Sequence, residues 1–168
     1  ISALKRGRMF GYSVNVAKGS LDFIGLNYYT HVLTTPFLPQ TTEVDLPARK
    51  NQQITEFGYP MYAEGMARAI RILQCLQLPI EITENGVADK DDKLRPNHLK
   101  RHLWVLSKSI ESGSEIGSYF HWSLMDNFEW AEGYSLRFGL HHVDYETQIR
   151  SLRKSGMDYR EIINKYRK

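Results

Sequence analysis

The chain contains little cysteine and no glycosylation signal. Its single cysteine, Cys75, cannot form an internal disulfide bond, and low cysteine use is typical of a reducing compartment. No Asn-x-Ser/Thr acceptor is present, which also points away from secretion. These absences predict a cytoplasmic protein. Because residue 1 is isoleucine, the lack of a leader there carries no information. We interpret Cys75 itself as a small buried or half-buried apolar residue within a helix.

Features that mark several other protein classes are also absent. No apolar run approaches the roughly 18 residues that cross a bilayer, so no membrane partner is predicted. A net charge of +3 from scattered basic residues predicts no nucleic-acid partner. There is no glycine-rich phosphate loop, and we predict no cofactor and no metal ion. His98 and His102 have metal-ligand spacing, but without a third ligand nearby we interpret them as a solvent-exposed helix face.

The chain does contain alternating strand and helix patterns. Apolar runs and amphipathic spacing predict, in chain order, a strand at 21–29, a helix at 61–77, a strand at 78–84, a helix at 97–112 capped by Asn97, a strand at 116–122 and a helix at 158–166. Long loops are predicted at 31–60 and 123–154. This alternation predicts parallel strands joined by helical crossovers.

Two motifs follow the ends of predicted strands. Residues 82–86 read Ile-Thr-Glu-Asn-Gly and place Glu84 at a strand tip, and residues 122–134 crowd carboxylates and indoles together after the next strand. Carboxylates perform proton transfer and nucleophilic attack, and barrels of parallel strands keep their active sites at these ends. From the residues alone, Glu84 could also be a loop glutamate before an Asn-Gly turn, and Trp122 and Trp130 ordinary core aromatics.

Several segments together resemble glycoside hydrolase family 1, the β-glucosidase family. The matching segments, in order, are residues 22–30, 82–86, 122–134, 137–140 and 143–145. The resemblance implies an α/β fold of the (β/α)8 TIM barrel type. It further implies that residues 1–168 belong to one domain and supply about strands six to eight with their helices. The missing N-terminal barrel portion would then be supplied in cis or in trans.

The resemblance also implies site residues. Glu84 corresponds to the nucleophile, and Tyr29 to the tyrosine that donates a hydrogen bond to it. The second glutamate of the family, the acid/base, lies in a Thr-x-Asn-Glu-Pro-like motif that this chain does not contain. The implied sugar-binding residues are Asn27 beside the nucleophile, Trp122 beneath the sugar ring, Glu129 on two hydroxyls, Trp130 on another hydroxyl, and Phe138 in the same pocket.

The identity of residue 129 bears on the substrate. The 6-phospho-glycosidase branch lacks this glutamate, and a carboxylate there would repel a phosphate. The resemblance therefore implies that the chain is the C-terminal part of a retaining β-glucosidase, and that the complete enzyme cleaves unphosphorylated β-D-glycosides. The isolated chain is expected to be inactive. Two alternatives stay open: a truncated or non-catalytic family member that binds sugar or protein, and the thioglucosidase branch, whose acid/base position holds glutamine.

The chain departs from the family pattern at a few positions. His98 stands where the family often has an aromatic residue, and His121 precedes Trp122 where another residue is common. A partial barrel should also expose apolar surface. The side chains that we expect to be exposed are Phe23 and Ile24 at a sheet edge and Leu99, Leu103 and Leu106 on a helix face.

Overall fold

A computed structural model describes residues 8–9, 12–13, 20–31 and 52–167. The strands and helices are β1 (Arg8–Met9), β2 (Tyr12–Ser13), β3 (Ile24–Asn27), α1 (Ala63–Leu73), β4 (Ile80–Gly86), α2 (Arg95–Glu111), β5 (Ile116–Trp122), β6 (His141–Val143), β7 (Arg150–Leu152) and α3 (Lys154–Tyr166). Most of the loop predicted at 31–60 lies outside the described residues. Within them, no helix has the length and apolar character needed to span a membrane.

The central sheet consists of three parallel strands. β3, β4 and β5 lie side by side in that order, and α1 and α2 form the two crossovers between them. Two antiparallel pairs, β1 with β2 and β6 with β7, complete the described sheets. The parallel arrangement predicted from the strand and helix alternation is therefore present.

The apolar core lies between this sheet and the helices α1 and α2. Alternate residues of β4, Ile80 and Ile82, point to this side and are almost completely buried. The side chains that pack with them include Met66 and Ile70 from α1 and Val105 and Leu106 from α2. Burial of each such side chain stabilises the fold by about 1.5–3 kcal/mol, so this contact fixes the helices against the sheet.

The opposite face of the sheet is more open. Gly25, Glu81 and Ser118 are neighbours in register across the three strands, and the Ser118 hydroxyl donates to the Glu81 carboxylate. Phe120 follows on the same face of β5 and is 59% exposed, while Phe23 is 51% exposed. The predicted exposure of Phe23 is confirmed.

The other four predicted exposures are wrong or only partly right. Ile24 is half-buried. Leu99 and Leu106 are buried, and Leu103 packs partly buried against the core. The reason is that α2 turns this stripe toward α1 and the sheet within the same chain. Ile110, one turn beyond the packed stripe, is exposed instead.

The cap of α2 also differs from the prediction. Asn97 lies inside the helix, and its side-chain amide donates to Gln53. Asp89 takes the capping role, because its Oδ2 accepts from the backbone N–H groups of Leu94 at 2.8 Å and Arg95 at 2.9 Å. A carboxylate satisfies these first N–H groups and complements the positive end of the helix.

The prediction for Cys75 is wrong. Cys75 is exposed and lies in the 3-10 turn Gln74–Leu76 that follows α1. The apolar stripe of α1 that faces the core does not continue through this turn, which contains no fully buried residue.

The prediction that His98 and His102 face solvent is also wrong. Both are 1% exposed, and their rings stack with centroids 3.9 Å apart. The ring centroid of His121, on β5, lies 6.3 Å from that of His98 and 6.2 Å from that of Tyr159 on α3. The helix α3 covers these positions, and the local pattern of α2 does not reveal such a partner. The two departures from the family pattern, His98 and His121, therefore meet in one buried cluster.

The environment of this histidine cluster disfavours protonation. Within the described part of the chain, the only ring nitrogen of the three with a hydrogen bond is His102 Nδ1, 2.8 Å from the His98 carbonyl. Burial lowers the pKa of His102 to about 4 and of His121 to about 3, and holds the pKa of His98 well below its usual range. The nearby positive charge of Arg95 lowers the pKa of His121 further, whereas Asp92 opposes this shift.

We expect acid to destabilise the fold through these histidines. Their pKa in the unfolded chain is about 6.5, so the unfolded state binds more protons than the folded state below that pH. The free energy of unfolding should stay constant above about pH 7.5 and fall as the pH drops through about 6.5, by up to about 1.4 kcal/mol per pH unit for each ring. Urea titrations between about pH 5 and 8 measure this slope. His98→Phe should make the slope shallower by about one proton, and an unchanged slope would contradict the assignment.

Candidate active site

Glu84 lies at the carboxyl end of the middle strand of the sheet. It pairs in register with Asn27 of β3, and its backbone carbonyl accepts from the Tyr28 N–H at 2.9 Å. These backbone contacts bring the next residue, Tyr29, beside the Glu84 side chain. The Tyr29 hydroxyl donates to Glu84 Oε2 at 2.8 Å. The structure therefore brings together the two residues that the sequence predicts as catalytic.

The Tyr29 hydroxyl is held in its protonated form. Burial raises the pKa of Tyr29 well above its usual range, and the hydrogen bond to Glu84 raises it further. The negative charges of Glu84 and Glu129 act in the same direction, so both carboxylates lie close enough to influence this hydroxyl. Tyr29 therefore remains a hydrogen-bond donor to Glu84 at any pH where the protein functions.

The predicted sugar-binding residues Trp122 and Glu129 lie at the end of β5 and in the loop after it. The Trp122 indole donates from Nε1 to Glu129 Oε1 at 3.0 Å, and the Asn127 amide donates to the same oxygen at 2.7 Å. Glu129 immediately precedes the 3-10 turn Trp130–Glu132. The carboxylate is thus held against the tryptophan by groups on its own loop.

Gly86 permits the close approach of the two strand ends. It ends β4 and pairs in register with Trp122. A Cβ atom on residue 86 would collide with the carbonyl oxygen of Trp122, which belongs to the backbone and cannot move independently. The glycine of the Ile-Thr-Glu-Asn-Gly motif therefore allows the Glu84 strand and the Trp122 strand to converge at the site.

A pocket of about 230 Å³ lies at these strand ends. Five of the seven predicted site residues line it: Tyr29, Trp122, Glu129, Trp130 and Phe138. The rings of Tyr29 and Phe138 meet edge to face at 6.3 Å. Trp130 is 85% exposed at the rim. Glu84 contacts the pocket through its hydrogen bond with Tyr29. The arrangement places a carboxylate and its donor beside an aromatic pocket that contains a second carboxylate.

Asn27 lies outside this lining, as Glu84 does. Its Oδ1 accepts from the Thr83 hydroxyl at 2.6 Å, and the residue is exposed. Asn27 is nevertheless adjacent to Glu84 in register. Its side chain therefore lies near Glu84, but it is hydrogen-bonded to Thr83 of β4 and does not line the pocket.

The pocket also contains residues that the sequence did not single out. Phe57 and Tyr59 line it, and their rings meet edge to face at 4.5 Å. Phe57 also packs against Phe138. Both come from the described end of the proline-rich loop predicted at 31–60, where no periodic pattern marks individual residues. The aromatic residues of that loop are the one sequence feature that could have indicated Phe57 and Tyr59 as pocket residues.

A buried ion network anchors the loop that carries Glu129. The Asp126 side chain is fully buried and accepts from Arg153 Nη1 at 2.9 Å and Nη2 at 3.1 Å. It also accepts from the backbone N–H groups of Gly139 and Val143. Burial raises the pKa of Asp126, but the Arg153 guanidinium and these N–H groups outweigh it and hold the pKa below its usual value.

Within the described ranges, no three histidine, cysteine, aspartate or glutamate side chains are grouped so that they could hold a metal ion. The buried histidine cluster does not form one, because the His98 and His102 rings stack face to face.

The fold and pocket define an α/β protein with a carboxylate-bearing site at the carboxyl ends of parallel strands. The family model for glycosyl hydrolase family 1 matches residues 12–168. The chain belongs to glycosyl hydrolase family 1, and the resemblance seen in the sequence is confirmed.

Individual relatives agree with this membership. The chain is 36% identical over 160 residues to a β-galactosidase of Pyrococcus woesei, covering 84% of the chain and 31% of that protein. It is 38% identical over 159 residues to β-glucosidase A of Thermotoga maritima, covering 85% and 34%. A solved β-glucosidase of Pyrococcus furiosus superposes with a TM-score of 0.80 at 37% identity, covering 89% and 34%. The solved neighbours are family 1 glycosidases, whose fold is a (β/α)8 barrel. The chain spans about a third of the length of these relatives.

Proposed function

We propose that this chain is the C-terminal part of a retaining β-glycosidase and supplies strands six to eight of its (β/α)8 barrel. The complete enzyme would hydrolyse unphosphorylated β-D-glycosides. The observation that carries this proposal is the Glu84 carboxylate at the carboxyl end of β4, hydrogen-bonded to Tyr29 at the edge of an aromatic pocket. The β-glucosidases and β-galactosidases among the relatives support the reaction class.

Glu84 would act as the nucleophile of a double displacement. Its carboxylate attacks the anomeric carbon while the glycosidic C–O bond breaks, and a glycosyl ester forms. Water then attacks the same carbon, and Glu84 is released with net retention of configuration. The Tyr29 hydroxyl stabilises the carboxylate by donating to Oε2 and leaves the other oxygen to form the bond to the sugar.

The acid/base of this reaction would come from outside the chain. Retaining enzymes place their two carboxyl groups roughly 5–5.5 Å apart. Glu81 lies three residues before Glu84, and its carboxylate accepts a hydrogen bond from Ser118. The Glu129 carboxylate accepts hydrogen bonds from Trp122 and Asn127. We assign Glu129 to sugar binding. Neither glutamate is therefore a candidate for the acid/base, which we place in a Thr-x-Asn-Glu-Pro-like motif on the missing portion of the barrel.

The pocket would bind the sugar at the non-reducing end. Trp122 and Phe138 supply apolar faces for the sugar ring, and Glu129 supplies acceptors for two of its hydroxyls. The same carboxylate would repel a phosphorylated sugar, because two negative charges at close range are unfavourable. A solved β-glucosidase of Thermotoga maritima is in complex with glucoimidazole, and we propose this compound as the probe for the pocket.

The proposal also defines a partner segment. Within the described residues, β3 and β5 each pair with another strand on one side only, and Phe120 is exposed on the open face. The missing N-terminal barrel portion, in cis or in trans, would cover this face and complete the site. Determining the coding sequence upstream of Ile1 is the direct test, and a Thr-x-Asn-Glu-Pro motif there would support the proposal. Glutamine at its acid/base position would favour the thioglucosidase branch.

We expect the 168-residue chain alone not to hydrolyse an alkyl β-glucoside above the level of its own Glu84→Gln variant. An alkoxide is a poor leaving group and requires protonation, which the chain cannot supply. Joining the chain to a segment that carries the motif should produce activity, measured as glucose release. Turnover by the chain alone well above the variant would contradict the proposal. A joined protein that binds glucoimidazole without turnover would favour a sugar-binding module.

A further inference from the structure

The side chain of Asn127 holds the carboxylate of Glu129 in place. Its Nδ2 lies 2.7 Å from Glu129 Oε1, and the Trp122 indole donates to the same oxygen at 3.0 Å. We propose that Asn127 is a positioning residue that orients Glu129 for sugar recognition. This inference rests on the proposed sugar-binding function of Glu129.

The orientation of the Asn127 amide is determined by its neighbours. Its nitrogen faces two acceptors, the Phe128 carbonyl at 3.1 Å and the Glu129 carboxylate. Its oxygen lies 2.9 Å from the Ser123 hydroxyl. Rotating the amide by half a turn would place oxygen against a carbonyl and a carboxylate, which is repulsive. The nitrogen therefore has to face Glu129.

The backbone of Asn127 is also tied down. Its carbonyl accepts from the Tyr145 hydroxyl at 3.2 Å, and the preceding residue is the buried Asp126. The donor is therefore attached to a fixed part of the loop. A hydrogen bond to a charged acceptor from a fixed donor restricts that acceptor more than a bond from a mobile one.

The two donors together leave one oxygen of Glu129 for the ligand. Within the described residues, both hydrogen bonds that Glu129 accepts from these side chains reach Oε1 and neither reaches Oε2. Glu129 lines the pocket and Asn127 does not, so Asn127 acts through Glu129 rather than by touching sugar. With Asn127 removed, Trp122 would be the remaining donor, and the carboxylate could rotate about the bond that it makes with the indole.

A double-mutant cycle in the joined enzyme tests this inference. The readouts are kcat and KM for 4-nitrophenyl β-D-glucoside and the inhibition constant of glucoimidazole. Asn127→Ala should lower kcat/KM by about 10- to 100-fold, the range for loss of a hydrogen bond to a charged group. The same change made in a Glu129→Gln background should cause little further loss, because the residue it positions is already altered.

Two matched variants separate positioning from folding. Asn127→Asp keeps the shape and the oxygen that accepts from Ser123 but places a carboxylate oxygen against Glu129 in place of the donor, which is repulsive, so its loss should be at least as large as that of Asn127→Ala. Asn164→Ala, an exposed position on α3, should leave kcat/KM unchanged. Urea titration of each variant verifies that it is folded under the assay conditions.

The possible outcomes are distinguishable. Additive losses in the cycle, or full activity in both Asn127 variants, would overturn the positioning role while leaving Glu129 as a sugar-binding residue. If Glu129→Gln itself has normal kcat/KM and normal glucoimidazole inhibition, the proposed function of Glu129 is wrong, and the inference is overturned with it. A loss in Asn127→Ala that disappears in the Glu129→Gln background supports it.

Discussion

In the complete enzyme that we propose, replacing Glu84 by glutamine should lower turnover of an aryl β-glucoside by on the order of 10⁴-fold or more. Losses of this size follow when other hydrolases lose their catalytic nucleophile. An amide cannot form the glycosyl ester that a retaining mechanism requires. The change keeps the size of the side chain and an oxygen that can accept from Tyr29, so the pocket should remain intact. Steady-state assays of the joined protein with 4-nitrophenyl β-D-glucoside measure the loss.

Glu81 offers a matched control for Glu84. It lies on the same strand and its carboxylate is bonded to Ser118 rather than to Tyr29, so Glu81→Gln should retain activity. Near-normal activity in Glu84→Gln would refute its assignment as the nucleophile.

A smaller side chain at residue 84 separates a nucleophile from an acid/base. In Glu84→Ala, azide can occupy the vacated space and attack the anomeric carbon as the aryloxide leaves. Attack from the side of the missing nucleophile inverts the configuration and gives the α-glycosyl azide. Loss of an acid/base would instead leave the nucleophile in place, and azide acting on the glycosyl ester would give the β-glycosyl azide. The anomeric configuration of the product, determined by NMR, therefore identifies the role of Glu84.

The strands that carry the site could be predicted from the sequence because each is a short segment in which β-branched or aromatic residues recur after a helical pattern. β5 has the predicted bounds, whereas β4 both begins and ends two residues later than predicted, at Ile80 and at Gly86 within its motif. Short segments of this kind that alternate with helical patterns are typical of parallel sheets. Strand order and direction then follow from the helical crossovers. Glu84 and Trp122 were therefore expected at neighbouring strand ends, which is where the structure has them.

The parts that could not be predicted depend on contacts between distant segments. Nothing in the local pattern of α2 indicates that His98 packs against His121 and α3, and a histidine on a helix is more often exposed. The helix α3 begins at Lys154 rather than at Asp158. The sequence does not indicate this earlier start, because the first turn contains Ser155 and Gly156, which are weak helix formers. The capping role of Asp89 depends on a loop conformation rather than on the spacing of a capping box.

The burial of Asp126 is another feature that the local sequence does not indicate. Replacing this residue should lower the free energy of unfolding by a large amount. It lies in a loop motif rich in carboxylates, where the sequence gives no sign that one of them is buried. Asp126→Asn removes the charge that pairs with Arg153, whose side chain is 8% exposed. Breaking a buried ion pair from one side leaves an uncompensated charge and destabilises a protein by about 3–5 kcal/mol. The free energy of unfolding of the chain, from urea titration followed by circular dichroism, measures the effect.

Two comparisons decide whether the loss comes from the buried pair. Asp158 forms an ion pair with the exposed Lys154, so Asp158→Asn should change the free energy of unfolding by less than about 1 kcal/mol. In a second comparison, Asp126→Leu combined with Arg153→Met removes both charges of this pair, and it should be less destabilising than Asp126→Leu alone, because the Arg153 charge is no longer left buried without its partner. The pKa of Asp126 is lowered in the folded state, so its contribution is present at neutral pH and is lost as the pH falls through that lowered pKa. If Asp126→Asn costs no more than Asp158→Asn, the network does not anchor the loop that carries Glu129.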